Sequence, residues 1–214
     1  MPSDASIAPR RLTIRKVSPD RPWVWLNAGW RDLMAGGTAG RLLLVVMLGT
    51  MGFQMQDVLL EPYGAESLGL SVGSTTWLTA CNAMGALVGF ILAGRWMAQG
   101  QDMYRMAARG LLVGVVAFLM VIFAAPMNST VLFYAGAWGI GLGAGLFAVS
   151  TLTAAMAMPE QGKAGRGLVL GAWGAVQATA AGLAMAAGGV LRDLVNELAV
   201  NDWLGHSLNM PATG

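Results

Sequence analysis

The chain alternates long apolar runs with short polar breaks. Five runs stand out, at about residues 42–60, 75–94, 107–125, 131–158 and 167–191. A helix needs about 20 apolar residues to cross the ~30 Å hydrocarbon core of a bilayer, and each run is close to that length or longer. Pro62, Pro126 and Pro159 follow the first, third and fourth runs. Proline pushes the residue before it out of the helical region, so each is expected to stop its helix. The fourth run exceeds what a bilayer requires, which predicts a tilt or a bend at its glycines. The pattern divides the chain into a polar segment 1–40, a transmembrane bundle 41–191 and a tail 192–214. The expected fold class is an all-α integral membrane protein of about five transmembrane helices.

Both flanks carry interfacial features. Trp23, Trp25 and Trp30 precede the first run beside Arg31 and Asp32, and tryptophan favours the headgroup zone. In the tail, Leu191, Leu194, Val195 and Leu198 share a helical face, away from Arg192, Asp193, Glu197 and Asn201. That spacing predicts a short amphipathic helix on the outer surface. Residues 1–21 contain Arg10, Arg11, Arg15, Lys16 and Arg21 and no apolar core, which is not the form of a signal peptide. An odd number of spans and an end at Pro211–Gly214 lacking stop character lead us to expect a fragment without a following span.

Composition narrows the function. Charged residues are 11% of the chain and apolar residues 56%, with a mean hydropathy of +0.59. Soluble domains carry about 25% charged residues, so the chain is not a soluble enzyme. The 30 glycines suit membrane helices, where small residues let backbones approach. The 13 Lys and Arg residues sort by loop. Seven precede the first run, the loop 61–74 has none, and Arg95, Arg105 and Arg109 surround the next. The loop 126–130 has none, Lys163 and Arg166 follow, and only Arg192 lies in the tail. The positive-inside rule then places the N-terminus in the cytoplasm and the C-terminus outside. Cys81 and His206 are the sole cysteine and histidine, which excludes an internal disulfide and a multi-cysteine or paired-histidine metal site.

Polar residues inside the runs are the candidate functional groups. Thr50, Gln54, Asp57 and Glu61 recur at helical spacing and share one face of the first span. A carboxylate at the bilayer centre costs roughly 2.5–3.5 kcal/mol. Asp57 lies about 9 Å from the midpoint of its span, which reduces but does not remove that cost, so it is expected to face a cavity or a partner. Thr75, Thr79 and Asn82 continue into Ala86 and Gly89 as a packing stripe, with Asn82 alternatively lining a site. The series Gly139, Gly141, Gly143, Gly145 has the spacing of a nucleotide loop but lies within a span. It reads instead as the packing pairs Gly139/Gly143 and Gly141/Gly145, as do Gly85/Gly89 and Gly167/Gly171. Gln177, one turn from Trp173, needs a hydrogen-bond partner in lipid. No catalytic arrangement of nucleophile and base is available within the membrane, so no catalysis is expected.

Four segments resemble a known family. They are Met55–Gly64, Leu78–Ala80, Val121–Pro126 and Gly171–Gly182, and the likeness extends over about residues 22–193. They resemble the PucC/LhaA family, the bacteriochlorophyll-delivery branch of the major facilitator superfamily. The loop carrying Gly94, Arg95, Gly100 and Arg105 resembles the short loop motif of that superfamily. The resemblance implies a partial C-terminal half of a major facilitator fold, completed by a missing N-terminal half or a second copy. It implies an assembly factor for light-harvesting complexes that binds bacteriochlorophyll transiently and passes it to antenna polypeptides. The implied location is the bacterial inner, intracytoplasmic photosynthetic membrane, and no nucleic acid partner is implied. Thr50, Gln54, Asp57, Glu61, Asn82 and Gln177 are the candidate pigment- or substrate-binding residues. With no histidine in the spans, Gln54, Asn82, Gln177 or a water held by Asp57 would serve as the axial ligand of the pigment magnesium. A small-solute transporter of the same fold and a structural subunit of a photosynthetic complex are the alternatives.

Overall fold

The computed structural model describes Val24, Asn27, Arg31 and residues 37–158 and 166–200. Its elements are five helices: α1 (Thr38–Leu68), α2 (Val72–Ala98), α3 (Met103–Ala124), α4 (Thr130–Ala157) and α5 (Arg166–Val200). No strand occurs among the described residues. Each helix contains a segment long and apolar enough to cross a membrane. In lipid every backbone polar group must be satisfied internally, so apolar runs of this length fold as helices. The fold class is therefore the all-α, five-helix membrane bundle that the apolar pattern predicts.

Helix ends follow local chemistry. Asp102 caps α3 by accepting the Arg105 backbone N–H at 2.9 Å, and Ser129 caps α4 by accepting that of Leu132 at 3.3 Å. Gly69 closes α1 in the left-handed region at φ 63°, where a glycine avoids the Cβ penalty. There the N–H groups of Gly69 and Leu70 both donate to the Gly64 carbonyl.

The structure corrects three expectations. Pro62 does not end α1 but sits inside it, and the helix continues to Leu68. Proline removes one helical donor, and near a span's end the freed carbonyl can be met by neighbours or water. The segment expected to form a separate surface helix continues α5 without a break to Val200. Gly171 meets nothing within 4 Å of where a Cβ would stand, so it does not mediate packing among the described helices. Trp23, Trp25, Trp30, Lys163 and residues 201–214 lie outside the described residues.

Helix α4 is the centre of the bundle. Its spanning window is 56% buried, against 22% for α2 and 17% for α5. The glycine series explains how. Gly141 and Gly145 lie against the α2 backbone at Asn82 and Ala86, while Gly139 and Gly143 lie against Ala117, Gly110 and Gly114 of α3. Gly85 and Gly89 of α2 return the contact at the Trp138 and Leu142 carbonyls. One helix thus uses alternate glycines to bring two neighbours to backbone contact. Helix α1 packs chiefly along α5 and touches α4. Leu42, Val46, Ala154 and Ala155 close the contact of α1 with α4 at one end, with Val169, Trp173 and Val176 of α5 packed on them.

Candidate functional site

The site is built from the faces that α1, α2, α4 and α5 turn toward one another. They leave an open cavity of about 420 Å³. That volume falls in the range of about 300–1,000 Å³ usual for small-molecule sites. Helix α1 contributes Thr50, Phe53 and Gln54, and α5 contributes Gly174, Gln177 and Ala178. Phe90 enters from α2 and Phe147 from α4, while Ala86, Ala144 and Gly145 keep the floor low. The rings of Phe53 and Phe147 are 5.9 Å apart and tilted by 44°. Among the described residues no lining side chain is ionisable, and the cavity offers aromatic faces, a hydroxyl and two amides.

The structure divides the predicted residues into three groups. Thr50, Gln54 and Gln177 come together on the cavity wall. Asp57 and Glu61 continue the same helical face of α1 but are exposed and line no part of the cavity. The neighbouring helices cover that face at the depth of Thr50 and leave it open a turn or two further on. Asn82 lies in the α2–α4 seam and donates its side-chain amide to the Ala137 carbonyl at 3.4 Å. Gly94 and Arg95 lie near the end of α2, Gly100 in the turn after it and Arg105 in the first turn of α3, and none of them lines the cavity. Gly100 supplies the positive φ of 85° in that turn, and Arg95 and Arg105 are exposed. Arg109 donates to the Gln101 side-chain oxygen at 3.3 Å.

Sequence reasoning missed the aromatic wall and Gln56. Gln56 is 7% exposed, and its Oε1 has no partner. Gly49, Phe53, Gln56 and Tyr63 mark the inward face of α1. Gly49 abuts the Phe147 ring, and the Tyr63 hydroxyl donates to the Ile122 carbonyl at 3.3 Å. The spacing of Phe53, Gln56 and Tyr63 was the available signal, but the charged residues beside it drew attention to the adjoining stripe.

The fold defines a multi-pass helical membrane protein, and among its described residues the helices enclose an open, uncharged cavity. A sequence model of the PUCC protein family matches residues 10–210, and the chain belongs to that family. It is 54% identical over 199 residues to the "Uncharacterized protein in puhA-bchM intergenic region" of Rhodobacter capsulatus, covering 93% of this chain and 41% of that protein. It is 50% identical over 185 residues to "Protein PucC" of Rhodovulum sulfidophilum, covering 86% and 40%. The "Bacteriochlorophyll synthase 44.5 kDa chain" of Rhodobacter capsulatus is 28% identical over 173 residues, covering 79% and 40%. The chain thus spans about two fifths of the length of these relatives. No solved structure matches it.

Proposed function

We propose that this chain takes part in assembling photosynthetic pigment–protein complexes, holding bacteriochlorophyll in the membrane and delivering it to light-harvesting antenna polypeptides. Family membership and the name of the bacteriochlorophyll synthase relative give the setting. The observation that carries the reading is the open groove, lined by rings, small residues and neutral hydrogen-bonding groups. Aromatic faces and a low floor accept a flat apolar molecule, and uncharged polar groups orient its periphery. A cavity of about 420 Å³ encloses part of a large ring and leaves the rest accessible for transfer.

The action in this reading is holding, for which the described wall offers aromatic faces and neutral hydrogen-bonding groups. Oxygen donors suit magnesium, so the side-chain oxygen of Gln54 or Gln177 is a fitting axial ligand for the pigment. Asn82 gives its amide N–H to α4 and neither it nor Asp57 lines the groove, which favours the two glutamines.

The test is to express the chain in a bacteriochlorophyll-making host and purify it in mild detergent. Pigment absorption together with antenna polypeptides at a fixed ratio is the expected result. A colourless protein without partners would overturn the proposal.

A further inference from the structure

Helices α1 and α3 run in the same direction. Phe53 stands against Gly114, and further along both helices the Tyr63 hydroxyl donates to the Ile122 carbonyl. Between them lies an open crevice of about 230 Å³, lined by Leu48, Gly52 and Phe53 of α1 and by Leu111, Val115 and Phe118 of α3. Leu48 and Val115 on its rims are 61% and 57% exposed, so it faces the lipid. Gly52 leaves it deep, because nothing lies within 4 Å of where its Cβ would stand. Every described lining side chain is apolar, so whatever enters brings no polar group with it. The volume is below the about 300–1,000 Å³ usual for small-molecule sites, and a helix with its side chains is about 10–12 Å across. A flexible hydrocarbon chain matches this space.

Charge at one end of the crevice says which hydrocarbon. Helical spacing puts Arg41 on the face of Leu48 and Gly52, and Tyr104 on the face of Leu111 and Val115. Each lies seven residues before the first of those lining residues, about 10 Å along its helix. Met103 packs on the buried cluster of Leu42, Val46, Ala154 and Ala155, so α1 and α3 begin at the same end of the bundle. Arg41, Tyr104 and Arg105 are all exposed there. Asp102 is engaged with the α3 backbone as its cap. Positive charge marks this end as cytoplasmic, and the cytoplasmic leaflet is the one rich in anionic lipid. A tyrosine at headgroup depth adds a hydroxyl to the two guanidinium groups, which suit a phosphate. We infer that an anionic phospholipid of the cytoplasmic leaflet seats one acyl chain in the α1–α3 crevice, with its phosphate held by Arg41, Tyr104 and Arg105. The lipid fills the space between α1 and α3, and its binding does not depend on the pigment-holding reading.

The test uses the full chain in nanodiscs of equal parts phosphatidylglycerol and phosphatidylcholine, released into the gas phase so that native mass spectrometry identifies the lipids it retains. Wild type is expected to keep one phosphatidylglycerol in clear preference to phosphatidylcholine. Arg41→Gln combined with Arg105→Gln is expected to lower that preference, by roughly fivefold for each arginine, and to leave retained phosphatidylcholine unchanged. Gly52→Leu fills the crevice from a position with free space around it and is expected to cut retention of phosphatidylglycerol several-fold while both arginines remain. Equal retention of the two lipids by wild type overturns the inference, and so does undiminished phosphatidylglycerol retention in Gly52→Leu. A chain that emerges as a lipid-free dimer also overturns it, since a second copy would then cover the crevice. Should Gly52→Leu not fold, the arginine pair still decides, because both side chains are exposed. An unaltered preference in that double variant overturns the inference.

Discussion

At the scale of the residue, one face of α1 carries two different environments. Thr50 and Gln54 lie where the neighbouring helices cover that face, and Asp57 and Glu61 lie where they do not. Helical spacing reveals that the four share a face, because 3.6 residues per turn is a property of one helix alone. It cannot reveal where the cover stops, because that depends on how α2, α4 and α5 diverge. A carboxylate at the bilayer centre costs roughly 2.5–3.5 kcal/mol, a cost reduced but not removed about 9 Å from the midpoint, so in the membrane Asp57 is expected to meet a polar group of a partner. Asp57→Asn removes the charge and keeps the shape. The chain should accumulate in the membrane at least as well as wild type, while mature antenna absorption falls several-fold in a host depending on it. Full antenna assembly with Asp57→Asn would remove this residue from partner recognition.

At the scale of the element, the glycine series in α4 shows what sequence can and cannot assign. Small residues four apart announce close packing, and the pairs Gly139/Gly143 and Gly141/Gly145 both deliver it. The pattern alone does not say which neighbour each pair meets, and here one serves α3 and the other α2. The same four-residue spacing at Gly171 meets open space, so the motif is not sufficient for close approach. The course of α1 past Pro62 and of α5 to Val200 was illegible for a related reason. Propensity rules describe a helix in water, and within a bundle in lipid the drive to pair backbone groups outweighs them. Two identical substitutions test the assignment. In Gly141→Ala the new methyl meets the Asn82 carbonyl, which no rotamer change can relieve, and a loss of roughly 1–3 kcal/mol is expected as a lowered unfolding midpoint in detergent. Gly182→Ala meets nothing within 4 Å and should leave the midpoint nearly unchanged. Equal responses would contradict the backbone contact between α2 and α4.

At the scale of the whole molecule, the bundle is polar along the membrane normal. Arg95, Arg105 and Arg109 gather at the end where α2 passes into α3. The opposite end holds the link between α3 and α4, which has no basic residue. Asp57 and Glu61 lie toward that second end, because Tyr63 of α1 reaches the Ile122 carbonyl late in α3. Positive charge is retained on the cytoplasmic side during insertion, so the arginine-rich turn should face the cytoplasm and the acidic pair the outside. The single cysteine makes this measurable. In a Cys81→Ser background, Met127→Cys places a thiol at an exposed position of the outer link, and Gln101→Cys places one in the arginine-rich turn. A membrane-impermeant maleimide should label Met127→Cys in intact spheroplasts and Gln101→Cys only after the membrane is opened. The reverse pattern would invert the bundle and put Asp57 and Glu61 toward the cytoplasm. The groove would keep its lining, but any partner reading that acidic end would then have to approach from the cytoplasmic side.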